Sequence, residues 1–374
     1  MLCSRVLHPR YLTATAVLTC GVVQAQAPQT TLEPPVLESS HALVNPLLAS
    51  GPDPWVSYRD GFYYYMHTTG ANLTIWKTRS IRNLAQAEKE VVWSAQPGTP
   101  YAKDIWAPEL HFIRGKWYIY FAADAGTNAS HRIWVVENDN PDPLLGEWRM
   151  KGKVADSTDR WAIDATVFEE GSRLLMIWSG WEGDGNGQQN LYIAELADPW
   201  TVKSPRVRIS TPELPWEKVG DLTARRDAEE NPGLDSLNPP HVDVNEGPEI
   251  LRHQGNLFVI YSAGGCWTDY YSMGMLTARG GSNLLDPSSW TKNPIPVFWQ
   301  SPKAKAYGTG HGSFFRSPDG TEDWMLYHAN SEPGQGCGRN RVPRAQRFGW
   351  NPDGTPNFGR PVEVGRPLPP PSGE

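Results

Sequence analysis

Apolar residues along this chain come in short runs separated by glycine turns, and long stretches with the helical period are hard to find. Five of the runs repeat one construction. Asp53-Pro54-Trp55-Val56 leads to Asp60-Gly61 and then Phe62-Tyr63-Tyr64-Tyr65-Met66. Trp106-Ala107-Pro108-Glu109-Leu110 leads to Arg114-Gly115 and then Trp117-Tyr118-Ile119-Tyr120-Phe121. Asp164-Ala165-Thr166-Val167-Phe168 leads to Glu170-Gly171 and then Leu174-Leu175-Met176-Ile177-Trp178. Glu246-Gly247-Pro248-Glu249-Ile250 leads to Gln254-Gly255 and then Leu257-Phe258-Val259-Ile260-Tyr261. His311-Gly312-Ser313-Phe314-Phe315 leads to Asp319-Gly320 and then Trp324-Met325-Leu326-Tyr327-His328.

Each unit is a short strand, a glycine turn and a second strand dense in aromatic and β-branched residues, which is a hairpin signal. Further strand-like runs such as Leu73-Thr74-Ile75-Trp76 and Leu191-Tyr192-Ile193-Ala194 fill the intervals. Three or four strands per unit, five times over, predict an all-β chain folded as a five-bladed β-propeller. The first strand of each blade then lines the axis, and Asp53, Trp106, Asp164, Glu246 and His311 converge on one end of the channel. Residues 205 to 245 depart from the repeat, with six prolines among charged residues. They are expected to form a long connection walling part of the cleft.

Composition adds limits. The net charge of -7, with no basic block, argues against nucleic acid as a partner. Arg5, His8 and Arg10 precede a mostly apolar run, Tyr11 to Val23, and small residues follow at Ala25 and Ala27. That is the pattern of an export signal over residues 1–27, and the run is too short to span a bilayer. Residues 28–42 are expected to be a flexible leader, and 43–374 a single catalytic domain, secreted or periplasmic and monomeric. Two of the four cysteines lie in the signal, leaving Cys266 and Cys337 to pair in an oxidising compartment or stay as separate thiols. No Cys/His spacing suggests a zinc site.

Glu246 carries the sharpest chemical expectation. Gly247 and Pro248 follow it, and an apolar run starts at Ile250, so the carboxyl sits at the mouth of a strand entering a core. Partial desolvation there raises its pKa and suits it to donate a proton.

Taken together, the Asp-Pro at 53, Trp-Ala-Pro-Glu at 106, Ile-Asp-Ala-Thr at 163, Glu-Gly-Pro at 246 and Gly-His-Gly-Ser at 310 resemble glycoside hydrolase family 43. The likeness spans about residues 43 to 366. The ending Arg341-Val342-Pro343-Arg344-Ala345-Gln346-Arg347-Phe348-Gly349-Trp350 resembles the arabinofuranosidase branch. The resemblance implies Asp53 as general base, Glu246 as general acid and Asp164 as the carboxylate that tunes the acid. It implies Arg341 as a steadying base, with Arg344 an equal candidate, and Trp106 flanking the sugar. His311 matches a channel histidine that in some members sits beside calcium or another ion; no cofactor is otherwise required. His67, Trp178, Trp181 and Trp267 are candidates for sugar contacts or for blade packing.

Glycosidic cleavage needs one protonated and one ionised carboxyl across the sugar, roughly 6.5–9.5 Å apart when a water must fit between them. The expected activity is inverting removal of α-L-arabinofuranosyl residues from arabinan, arabino-oligosaccharides or arabinoxylan. β-Xylosidase and endo-arabinanase stay open within the family. A fructan-cleaving propeller lacks support, because no Arg-Asp-Pro is present and Glu246 is followed by Gly. A non-catalytic sugar-binding propeller is disfavoured because all three carboxylates are in place.

Overall fold

The computed structural model describes residues 41–220 and 241–374. The expected signal, nearly all of the leader and the centre of the long connection lie outside them. Within these residues the chain is a five-bladed β-propeller. The innermost strands are Trp55–Arg59, Lys103–Ile113, Ala162–Glu170, Asp243–His253 and Tyr307–Arg316. Each lies against the next, and the fifth lies against the first, so the ring closes.

Every predicted hairpin forms between the first two strands of a blade. Local chemistry explains the turns. Asp60-Gly61, Arg114-Gly115 and Gln254-Gly255 have positive φ at both residues, the turn whose twist matches paired strands. Gly171 alone is positive in the third hairpin (φ 61°), where Glu170 pairs with Arg173 across two residues.

The second strand of each blade reads as a continuous apolar run because both of its faces are buried. Alternate side chains point to opposite neighbours. In blade two, Tyr118 and Tyr120 pack towards blade three, whereas Trp117, Ile119 and Phe121 pack towards blade one. Five large apolar clusters result, one between each pair of adjacent blades, with a smaller sixth around Trp161 and Trp181.

The connection after residue 205 differs from expectation. Val207–Ser210 is the outer strand of blade three, pairing with Leu191–Ile193. Two residues, Gln188 and Gln189, then pair in parallel with Asp243 and Val244, joining blades three and four at the top. Ring closure uses the ends of the fold. Leu43 and Val44 pair with Leu368 and Pro367, and the amides of Leu47 and Gly51 donate to the carbonyls of Pro343 and Arg341.

Candidate active site

Each inner strand carries an irregularity near its start. Asp53, Ala107, Asp164, Gly247 and His311 all have φ between 43° and 55°. In blades two to five the strand register slips beside this residue. Non-glycine residues rarely adopt such backbone, and the cost is of order 1 kcal/mol or more each. The gain is direction: a bulge re-aims side chains that a regular strand would point sideways. The repeat is therefore aligned on these five residues. The sequence alignment on Trp106 and Glu246 is one residue early in blades two and four. Glu246 precedes the bulge, which is why it leans over the channel mouth half-buried while Asp53 and Asp164 are buried.

Asp53 is heavily partnered. The Arg341 guanidinium donates to its Oδ1 at 2.7 Å and the Thr68 hydroxyl to its Oδ2 at 2.7 Å. The rings of His311 and His328 approach Oδ1 at 3.4 and 3.6 Å. Burial pushes the Asp53 pKa up, but Arg341, the two histidines and Thr68 outweigh it and hold the carboxyl well below its ordinary range. Burial pushes the pKa of both histidines down, with the Asp53 charge opposing that shift, and Arg341 is the largest favourable charge on Asp53. The Asp53 amide donates to His328 Nδ1 at 3.1 Å, which makes that nitrogen an acceptor.

Asp164 and Glu246 have the opposite tendency. Burial, then the charges of Glu246 and Asp53, push Asp164 well above the carboxylate range, although the Gly247 amide donates to its Oδ2 at 3.0 Å. Burial also pushes Glu246 up to about 7, with Asp53 adding to the rise and Tyr271 and Arg341 opposing it. Asp53 is thus held towards the ionised form at the mouth, while Asp164 and Glu246 are both pushed towards the protonated form. His311 sits between the two aspartates, with Nδ1 4.0 Å from Asp164 Oδ2, and its backbone amide is held by the Ser262 hydroxyl at 2.7 Å.

The remaining predicted residues divide. Arg341 is in the site. Arg344 is not: it is fully buried, and its guanidinium donates to the carbonyls of Ala304, Lys305 and Asn330. Trp181 is also buried, stacked on Trp161 at 4.8 Å, and so packs the blade without offering a sugar platform. Trp178 packs between blades two and three. Trp106 is half-buried and lies flat on His131 at 4.0 Å. His67 is buried beside Trp76, near enough to Asp53 to feel its charge. Trp267 is half-exposed, next to Cys266. Cys266 and Cys337 form a disulfide with Cα atoms 5.1 Å apart. Among the described residues no group of three His, Cys, Asp or Glu side chains is arranged to hold a metal, so the ion expected beside His311 has no support.

Two contributors were not read from the sequence. Thr68 bonds Asp53 and also accepts from the Ala107 amide at 2.7 Å, linking blades one and two. Tyr271 donates to Glu246 Oε1 at 2.8 Å.

Known proteins place this geometry. Over 290 residues the chain is 39% identical to an extracellular exo-α-(1→5)-L-arabinofuranosidase of Streptomyces chartreusis, covering 76% of this chain and 81% of that protein. An α-L-arabinofuranosidase of Humicola insolens is 34% identical over 86% of this chain and 64% of its own length. The crystal structure of an α-L-arabinofuranosidase from Lactobacillus brevis superposes with a TM-score of 0.77 at 35% identity, covering 88% of this chain and all of that one. Residues 43–356 match the glycosyl hydrolases family 43 profile, and with the propeller and its paired carboxyls in view, the chain belongs to that family and is a glycoside hydrolase.

Proposed function

We propose that the protein is an exo-acting α-L-arabinofuranosidase that hydrolyses arabinan or arabino-oligosaccharides with inversion. One observation carries the chemistry: two carboxyls at one channel mouth with opposed protonation, Asp53 ionised by Arg341 and Glu246 protonated up to about pH 7. In this reading Glu246 delivers its proton to the glycosidic oxygen while Asp53 takes one from the attacking water. Asp164 supports the acid by accepting from the amide of Gly247 beside it, and Trp106 with His67 and Trp267 contacts sugar. The curated relatives named as arabinofuranosidases support the choice of sugar over xylose, and the extracellular one supports export.

The test compares Asp53→Asn and Glu246→Gln on arabino-oligosaccharide and on an aryl arabinofuranoside with a good leaving group. Each variant should lose activity on the oligosaccharide by about 10²–10⁴-fold. Only Glu246→Gln should recover on the aryl substrate, whose departing group needs little protonation. Near-normal oligosaccharide hydrolysis by both variants would sink the assignment. Proton NMR of the first-formed sugar should show inversion.

A further inference from the structure

Glu246 has two carboxyl oxygens, and in an acid only one carries the proton. The fold treats them differently. Tyr271 ends the loop that follows the second strand of blade four, Asn256–Ala263, and it is buried. Its ring lies parallel to His328, with centroids 5.7 Å apart at 7°. On another side Gly310 leaves the room it needs: a Cβ there would come within 2.1 Å of the Tyr271 ring. The ring therefore occupies a fixed slot, and from that slot its hydroxyl meets Glu246 Oε1 at 2.8 Å. The loop behind it is anchored as well. Asp269 accepts from the amides of Gly308 and Gly334, and Cys266 is bridged to Cys337.

We propose that Tyr271 is the positioning residue of the proton donor: its hydroxyl occupies Oε1 of Glu246, so the transferable proton resides on Oε2 and the carboxyl is held in one rotamer. This rests on the reading of Glu246 as the general acid. A tyrosine hydroxyl that donates to Oε1 leaves that oxygen as an acceptor in both protonation states, so the proton has one place to sit. Pre-orientation of this kind acts on turnover more than on binding, since the hydrogen bond is made before substrate arrives. The same bond favours the ionised form of Glu246 and thereby offsets part of the upward push from burial and Asp53. The other groups facing Glu246 are Asp53 from blade one, Arg341 from blade five and, from the neighbouring blade three, Asp164.

Tyr271→Phe keeps the ring in its slot and removes only the donor. On arabino-oligosaccharide its kcat should fall by roughly 10–100-fold with KM nearly unchanged, and on the good-leaving-group aryl substrate by only a few fold. The alkaline limb of its pH profile, which reports Glu246, should move upward by roughly half a unit or more, because a donor to the charged form has gone. Following the folded fraction at each pH alongside the rate corrects the limb for any loss of stability, so a partly destabilised variant still answers. An unchanged limb, or equal losses on both substrates, overturns the proposal. Glu246→Gln run beside it separates the causes. If that variant shows the leaving-group dependence and Tyr271→Phe does not, only the role of Tyr271 falls. If Glu246→Gln is normal on both substrates, the acid assignment falls and takes this proposal with it.

Discussion

At the scale of single residues, two arginines three positions apart do unrelated jobs. Arg341 holds Asp53 ionised, whereas Arg344 stitches three backbone carbonyls together in the interior. Removing the first should act on catalysis. Without its guanidinium Asp53 loses its main counter-charge and its pKa rises. A base must be ionised to work, so the acidic limb of the kcat/KM profile of Arg341→Met should move to higher pH. Arg344→Met should leave both limbs in place and instead lower stability by about 3 kcal/mol, because buried carbonyls lose charged donors. Thermal melts and pH profiles of the two variants read these effects separately. Sequence alone could not divide the pair, since both stand in one Pro- and Arg-rich stretch, whereas in the fold Arg341 just precedes the strand Val342–Trp350 and Arg344 lies within it. The carboxylates were legible because each stands at the head of one repeat unit, Asp53 and Glu246 with a Pro or Gly directly after them. Tyr271 was not, because its partner is 25 residues away and nothing in Tyr270-Tyr271-Ser272 marks a donor.

At the scale of strands, the positive-φ bulges place carboxyls along the axis as well as at its mouth. Glu109 and Glu249, two inner-strand residues below the bulges, are both buried and share Thr166 as a hydrogen-bond partner. Burial, then Glu249 and Asp164, push Glu109 well up, and burial pushes Glu249 up to about 8. His111, buried and pushed down to about 3, is neutral at 2.9 Å from Glu109 and supplies no counter-charge. The linkage sign follows. An unfolded chain ionises these groups above about pH 4.5, while the folded one keeps their protons, so stability is full below that pH and is lost as pH rises towards 8. The melting temperature should fall between pH 5 and pH 8, and Glu249→Gln, which has no proton to lose, should flatten that fall. A variant with the same slope as the parent would refute the account. Hairpin positions were readable from apolar runs and glycine turns. The strand Val207–Ser210 was hidden because it is only four residues long and Pro205 and Pro212 flank it, so the stretch read as a loop, although it pairs with Leu191–Ile193 at the edge of blade three.

At the scale of the whole molecule, one covalent bond joins the loops that hold Arg341 against Asp53 and Tyr271 against Glu246. Cys266 lies five residues before Tyr271, and Cys337 four before Arg341. Closing a loop with a 71-residue separation stabilises on the order of 4 kcal/mol in the chain-entropy picture. A Cys266→Ser, Cys337→Ser double variant should therefore melt at lower temperature. It should also lose turnover through both Arg341 and Tyr271; unchanged turnover at temperatures well below its melt would show that the loops keep their shape unaided. The number of blades could be counted in the sequence, but how the ring shuts could not. Leu43 and Leu368 are paired across 325 positions, and neither stands in a motif.

That seam imposes an order in time on the making of the protein. The inner strand of blade one rests on that of blade five, and the segment from Leu43 to Gly51 is held by residues 341 to 368. While the chain is being synthesised, its beginning has nothing to close against until nearly all of the sequence has emerged. Individual blades can collapse earlier, but each of the early ones then exposes an aromatic flank that only a later neighbour covers. Closure of the ring therefore awaits the strands around residues 341 to 368, however early the individual blades collapse.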